Sequence, residues 1–245
     1  MSQSLAVIIP TFNEAENITK LIREIRSYIG PNDKIVIVDD NSPDGTGKIV
    51  EKYAKNGKNI YVIHRKGKEG RGSAVIAGFK LAQKFNPDYY LEMDADFSHK
   101  PEDIVRLLSK IKEGRDVVIG SRYLSKSQIL NWPLQRKVFS KFANFYARAA
   151  LGVPISDYTN GFRIYSKKAA EFLLSQNLVS KGYIVLSETA YKLNRENFKF
   201  SEIAITFVNR KRGQSNTTFS EIRNAFLGIL RIRFPAIFNR PQKSI

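Results

Sequence analysis

The sequence predicts an α/β fold, a mostly parallel sheet with helices on both faces. Three observations predict it. Short apolar runs alternate with amphipathic helical stretches over the first 120 residues. The runs are continuously apolar rather than alternating, as strands covered on both faces are. Each run also ends on polar residues, and in an open parallel sheet such ends gather in one crevice beyond the carboxyl ends of the strands.

Taken in order, the runs Leu5–Ile9, Lys34–Asp39, Ile60–His64, Tyr89–Met93 and Asp116–Gly120 read as strands. Ala15–Tyr28, Thr46–Lys55, Gly72–Phe85 and Pro101–Lys112 read as the helices between them. Pro101 suits a first-turn position, and Glu102 and Asp103 complement the helix dipole. The strand ends carry Thr11-Phe12-Asn13-Glu14, Asp39-Asp40-Asn41-Ser42, His64-Arg65 and the pair Asp94 and Asp96. After Ser121 a polar loop, "RYLSKSQILNW", leads to a basic amphipathic helix from about Pro133 to Leu151. A strand in "GFRIYS", shorter helices, a strand in "FSEIAITFVNRKRG" and a last helix in "FSEIRNAFLGILRIRF" complete the chain. Without an internal repeat or a low-complexity tract, residues 1–245 read as one domain.

Composition sets the outer limits. A chain of 245 residues with 42% hydrophobic and 11% aromatic content can bury a large core. No apolar run is long enough to span a bilayer. The amino terminus passes directly into a strand, without the pattern of a signal peptide. The absence of cysteine rules out disulfides and thiolate metal sites; it suits an intracellular protein, and equally one from a hot environment. The net charge of +17 is uneven: residues 1–120 hold 19 Lys/Arg against 17 Asp/Glu, and residues 121–245 hold 21 against 6. A basic second half implies an anionic partner, for which nucleic acid, anionic lipid and a phosphorylated substrate all qualify.

Two motifs carry chemistry. "GKEGRGSAV", Gly67 to Val75, is neither a Walker loop nor a dinucleotide turn, yet it opens a helix, so its amides and Arg71 can face a pyrophosphate. Asp94 and Asp96 are spaced i, i+2, which in an extended chain turns both side chains the same way. Such like charges repel unless a cation or sugar hydroxyls lie between them, and oxygen-only ligands suit Mg²⁺ or Mn²⁺ bound together with diphosphate.

With these residues in place, "VIIPTFNEAENI", "IVIVDDNSPDGT", "RKGKEGRGSAVIAGF" and "MDADFSHKPEDI" resemble the successive signatures of inverting family 2 glycosyltransferases of the GT-A fold. Within that family, "GSRYLSKSQILNWPLQRKVFSKFAN", "SDYTNGFRIY", "LVSKGYIV" and "ITFVNRKRGQS" are similar to the dolichol-phosphate mannose synthases. The resemblance covers about residues 5 to 234 and implies a nucleotide-sugar half (1–120), an acceptor half (121–234) and a tail (235–245). It implies GDP-mannose as donor and a polyprenyl (dolichyl) phosphate as acceptor. Pro10, Phe12, Glu14 and Asp40 then hold the nucleoside; Asp94 and Asp96 hold ribose, metal and diphosphate; Arg122, Arg136 and Ser140 hold the acceptor phosphate; and Arg210, with Arg212, Gly213 and Ser215, closes over the donor. Ser98 stands where some relatives have a Gln ligand, and His99 reads as structural. The loop "GQSNT" departs from the relatives' "GESK", and Glu188 survives in "YIVLSET" where relatives tend to show Gln-Met-Glu.

A lipid phosphate is ionised at neutral pH, so the expected reaction needs no strong general base. Trp132–Leu151 and Phe219–Phe238 interleave aromatic and aliphatic residues with Arg and Lys, the composition of interfacial helices on an anionic membrane. The expected location is peripheral, on the cytoplasmic face of a membrane, compatible with a separate membrane anchor subunit. A nucleic-acid-binding protein, the rival that the pI of 9.9 suggests, leaves the clustered strand-end acids unexplained. A relative using UDP-glucose is the nearer rival.

Overall fold

The computed structural model describes residues 3–57, 59–180, 182–209 and 219–235. Strand β1 (Leu5–Thr11) has parallel neighbours β2 (Lys34–Asp39) and β4 (Tyr89–Glu92), and β3 (Ile60–His64) extends the sheet beyond β2. Helices α1 (Ile18–Arg26), α2 (Thr46–Asn56), α3 (Arg71–Gln83) and α4 (Asp103–Ile111) fill the crossovers, as the alternating pattern predicts. Strand β5 (Val117–Ser121) is followed by a short β6 (Gln128–Leu130), α5 (Leu134–Leu151) and β7 (Arg163–Ser166). The chain then runs through α6 (Lys167–Ser175), α7 (Ile184–Arg195), β8 (Phe200–Ala204), β9 (Thr206–Val208) and α8 (Phe219–Arg233).

The main sheet has the order β3-β2-β1-β4-β7-β5-β8, and a separate parallel ribbon pairs β6 with β9. Chain order reverses at β1, so its carboxyl end and that of β4 flank the crevice where such sheets bind ligands. Strand β7 runs antiparallel between β4 and β5, with Arg163 opposite Glu92 and Ile119. That reversal carries the residues just before it, 157–162, to the same edge as Asp94. The sequence pattern predicts the strand in "GFRIYS" but not its direction.

Alternation along each strand divides the core in two. Leu5, Val7 and Ile9 join the layer under α1 and α4, whereas Ala6 and Ile8 join the layer under α3 and α6. Gly78 lets α3 lie directly on the sheet, since a Cβ there would meet Ile8 and Val38. Helix α8 turns Ile229 and Ile232 into the second layer, beside Ala147 and Leu151 of α5. Among the described residues no helix is long and apolar enough to cross a membrane.

Candidate active site

At the carboxyl ends of β1 and β2, Pro10, Phe12 and Glu14 are half-buried and Asp40 is buried. Asp40 is committed on both oxygens: Arg65 Nη1 donates at 2.7 Å and the Gly70 amide at 3.2 Å. Burial pushes its carboxyl above the ordinary range, with Arg65 and the loop amides pulling the other way. The pair ties the glycine loop to the sheet, and Lys68 from that loop sits 4.3 Å over the Phe12 ring. The adjacent Asp39 accepts from Ser42 and Thr11, an internal turn bond rather than an open ligand.

Strand β4 ends at Glu92, so Asp94 and Asp96 lie in the bend beyond it and not in extended chain. They still converge, because both line one cavity of about 370 Å³. Arg71 departs from its expected role. Its guanidinium donates from Nε to Asp94 Oδ1 (2.7 Å), from Nη1 to Glu92 Oε2 (2.6 Å) and from Nη2 to the Gly161 carbonyl (2.7 Å). It is a brace spent on Asp94, not a cation held out toward a pyrophosphate. Burial alone would raise the Asp94 carboxyl; the charge of Arg71, then the neighbouring His99, outweighs it and holds the group well below the usual carboxylate range.

Three further groups border this bend. Asp96 Oδ1 accepts the Ser98 amide at 3.0 Å, and the Ser98 carbonyl accepts the Val208 amide of β9. Ser98 Oγ and both His99 ring nitrogens are buried without a hydrogen-bond partner among the described residues. His99 is stacked on Phe162 and meets Phe207 edge-on, with Nε2 3.6 Å from Asp94 Oδ2. Its position is that of a packed aromatic, as the sequence reading holds.

Across the cavity Arg122 is buried and fixed. Nε and Nη2 donate to the two oxygens of Asp157, each at 2.7 Å, and Nη2 also donates to Thr159 Oγ1 at 2.6 Å. Among the described residues Nη1 makes no hydrogen bond and remains for a ligand. Arg136 and Ser140 share a face of α5, as their i, i+4 spacing predicts, and line the same cavity. Arg136 Nη1 donates to Asn209 Oδ1 at 3.1 Å, and the Tyr123 hydroxyl donates to Ser140 Oγ at 2.6 Å. Beyond them the cavity becomes apolar between α5 and α8, against Phe139, Ala143, Tyr146, Phe226 and Ile229. Arg210, Arg212, Gly213 and Ser215 lie outside the described residues.

Residues 6–174 match the sequence profile described as "Glycosyl transferase family 2". The chain belongs to glycosyltransferase family 2. Among its relatives, the transferase is 38% identical over 229 residues to the polyprenol monophosphomannose synthase of Mycolicibacterium smegmatis, covering 93% of this chain and 86% of that one. It is 35% identical over 224 residues to the undecaprenyl-phosphate mannosyltransferase of Micrococcus luteus, covering 91% of each. Against the dolichol-phosphate mannosyltransferase of Pyrococcus furiosus the identity is 38%, over 91% of this chain and 62% of that one. The glucosyl-3-phosphoglycerate synthase of Mycobacterium tuberculosis, solved with Mn²⁺, UDP and glucosyl-3-phosphoglycerate, superposes with a TM-score of 0.66 at 16% identity, over 98% of this chain and 82% of that one. The mannosyl-3-phosphoglycerate synthase of Rubrobacter xylanophilus superposes with a TM-score of 0.67 at 15% identity, over 99% and 77%. The two structures establish the GT-A fold of the transferase.

Several residues of the transferase site escape a reading of the sequence. Asp157 and Thr159 lie within "SDYTNGFRIY", but only the antiparallel β7 brings them to Arg122. Glu92 carries a readable signal, since an acid inside an apolar strand needs a buried partner. It finds two, Arg71 and the Tyr165 hydroxyl at 2.6 Å. Glu188 has a defined place as well: it accepts the Val179 and Ser180 amides, pinning the loop that leads to Tyr183 at the cavity mouth.

Proposed function

We propose that this glycosyltransferase moves mannose from GDP-mannose to a polyprenyl (dolichyl) phosphate, with inversion at the anomeric carbon. One observation carries the reading. A single cavity runs from the acids Asp94 and Asp96, past Arg122, Arg136 and Ser140, into an apolar trough. Those are the requirements, in line, of a nucleotide diphosphate, an acceptor phosphate and an isoprenoid chain. The names of the relatives from Mycolicibacterium, Micrococcus and Pyrococcus support mannose and a polyprenyl phosphate.

We assign Pro10, Phe12, Glu14 and Asp40 to the nucleoside side, and to the donor also Arg210, which lies outside the described residues. Mg²⁺ or Mn²⁺ fits the acidic end. Asp94 Oδ2, Asp96 and the unpartnered Ser98 Oγ are oxygen donors. The guanidinium of Arg71 against the carboxylates of Glu92, Asp94 and Asp96 leaves two negative charges for a dication. When bound, the ion neutralises charge on the departing diphosphate. The protein's own residues do the rest. Arg122 Nη1, Arg136 and the Ser140 hydroxyl orient the acceptor phosphate, whose oxygen attacks the anomeric carbon. The carbon–oxygen bond to the diphosphate breaks and GDP keeps the electron pair; no proton moves.

No general base is required on this reading. Among the described residues the only carboxylates lining the cavity are Asp94 and Asp96, and Asp94 is held too far below the usual range to take a proton at neutral pH. The outward face of α5 supplies the membrane contact: Leu134, Val138, Phe142 and Phe145 are all more than half exposed and recur on one face between lysines. On this reading the enzyme is peripheral, and the proposed location is the cytoplasmic face of a membrane.

The test is transfer from labelled GDP-mannose, GDP-glucose and UDP-glucose to a detergent-dispersed polyprenyl phosphate, with the product's anomeric configuration read by NMR. A β-linked mannosyl phosphate from GDP-mannose is expected. Preference for UDP-glucose, or an α-linked product, would overturn the reading.

A further inference from the structure

Trp132 is the single tryptophan of the chain. It sits where β6 turns into α5, between Asn131 at φ 59° and the N-cap Pro133. Its neighbours Leu130 and Leu134 are 42% and 75% exposed, yet Trp132 is 8% exposed and lines the cavity. The chain thus turns one large ring inward at the point where its apolar neighbours face out. Both arginines of the acceptor end lie over that ring: Arg136 Cζ is 4.0 Å from its centroid and Arg122 Cζ 5.5 Å. Phe207 closes the arrangement, 5.5 Å from Trp132 edge-to-face and 5.3 Å from Arg122 Cζ.

We propose that Trp132 is the positioning residue of the acceptor site, its indole setting the guanidinium planes of Arg122 and Arg136 so that both address one lipid phosphate. The inference rests on reading those arginines as the phosphate ligands. Two guanidiniums repel one another, and a desolvated ring within reach of both offsets that repulsion while fixing their tilt. Arg122 has a second anchor in Asp157. Of the two arginines Arg136, on an exposed stretch of helix, lies nearer the indole, at 4.0 Å against 5.5 Å, so Trp132 acts chiefly through it. The indole Nε1–H points to the same role. It is buried with no hydrogen-bond partner among the described residues, a cost that a phenylalanine would avoid if packing were the only demand. Tryptophan also offers the strongest ring face to a cation.

The full chain serves as its own reporter, because all its tryptophan fluorescence comes from this position. Farnesyl phosphate, in detergent, is expected to change the emission saturably, whereas farnesol and inorganic phosphate at equal concentration change it little. Trp132→Leu is expected to raise the acceptor KM roughly tenfold, with the donor KM within about twofold. Trp132→Phe, which keeps a ring face, is expected to recover most of that loss. If Trp132→Leu leaves the acceptor KM unchanged while Arg122→Met and Arg136→Met raise it, the tryptophan inference falls and the acceptor site stands. If it raises donor and acceptor KM alike, the residue is merely structural and the inference also falls. If neither arginine variant alters the acceptor KM, and farnesyl phosphate leaves the emission unmoved, the acceptor site itself is misplaced and both fall.

Discussion

Replacing Asp157 by asparagine isolates the electrostatics of the acceptor end, because the side chain keeps its volume and leaves no cavity. Asp157 is fully buried and its carboxylate accepts six hydrogen bonds, the longest from the Thr159 hydroxyl to Oδ1 at 3.5 Å. Oδ2 takes the Arg122 amide at 3.0 Å and Nε at 2.7 Å; Oδ1 takes Arg122 Nη2 at 2.7 Å, the Thr159 amide at 3.2 Å and the Asn160 amide at 3.1 Å. Whichever way the amide turns, its NH₂ faces at least two donors, one of them on a guanidinium that has lost its counter-ion. Two charge-assisted bonds at about 1.5–3 kcal/mol each give roughly 3–6 kcal/mol, in line with the about 3–5 kcal/mol seen when one partner of a buried pair is removed. A loss near 4 kcal/mol lowers the melting temperature of a chain this long by about 8–16 °C.

Urea unfolding at neutral pH measures the loss as a shift in midpoint at constant slope. Burial alone would raise the Asp157 carboxyl, but the charge and hydrogen bonds of Arg122 outweigh burial and hold it below the ordinary value. A depressed folded-state pKa means that the pair's stabilisation is fully present above the unfolded carboxyl's pKa of about 3.9, and fades as pH falls through the lower folded value. The gap between wild type and Asp157→Asn is therefore flat from about pH 5 to 8 and narrows below about pH 4. The double variant Arg122→Met/Asp157→Asn is expected to be less destabilised than the two single losses added together. A single-variant loss under about 1 kcal/mol, or strict additivity, would refute the reasoning.

Arg71→Met strands Glu92 and Asp94, so thermal unfolding without metal is expected to show a loss of about 3–5 kcal/mol; Mn²⁺ should then raise the melting temperature more in the variant than in wild type, and an equal or smaller rise would refute Arg71 as the brace of Asp94. In the pH profile of kcat/KM for the acceptor, the acid limb is expected near the second ionisation of the lipid phosphate, about pH 6, and to move when a thiophosphate acceptor of lower pKa is used; a limb that stays put would assign it to the enzyme. Co-sedimentation with anionic vesicles at low salt is expected to weaken at high salt and to fail for Leu134→Glu/Val138→Glu. Wild-type binding by that variant would move attachment elsewhere, a membrane anchor subunit included.

The nucleotide half was readable because its signals are local. Continuous apolar runs, helical periodicity and polar strand ends locate β1 to β5 and α1 to α4 to within a few residues, and they put Asp94 and Asp96 at the crevice. Spacing on α5 likewise puts Arg136 and Ser140 on one face. What stayed hidden depends on direction and distance in the fold. Nothing local in "GFRIYS" says that β7 runs antiparallel, yet that reversal brings Asp157 to Arg122 across 35 residues of chain. Arg71 misled because a basic residue opening a glycine-rich turn is the usual mark of a phosphate contact. Glu92, an acid within the apolar run Tyr89–Met93, is the sign in the sequence that a buried cation is needed nearby. Ribbon β6–β9 escaped because three-residue strands have too little pattern to detect.

The two ends of the cavity use one device in opposite senses. At the acidic end the guanidinium of Arg71 is the brace and the carboxylate of Asp94 the working group. At the basic end Asp157 is the brace and the guanidinium of Arg122 the working group. Each pair fixes a charged side chain that would otherwise be free to swing, and among the described residues each leaves one atom of the working group without a hydrogen bond: Asp94 Oδ2, 3.6 Å from His99 Nε2, on one side, and Arg122 Nη1 on the other. Bracing also removes basicity, since a carboxylate locked to arginine gives up its affinity for a proton. An enzyme whose acceptor is a sugar hydroxyl must deprotonate its nucleophile, a task to which a carboxylate so held is unsuited. One whose acceptor is a phosphate loses nothing by the bracing and gains a preorganised field. The rigidity of both pairs, more than the surplus of positive charge, is what supports the proposed phosphate nucleophile.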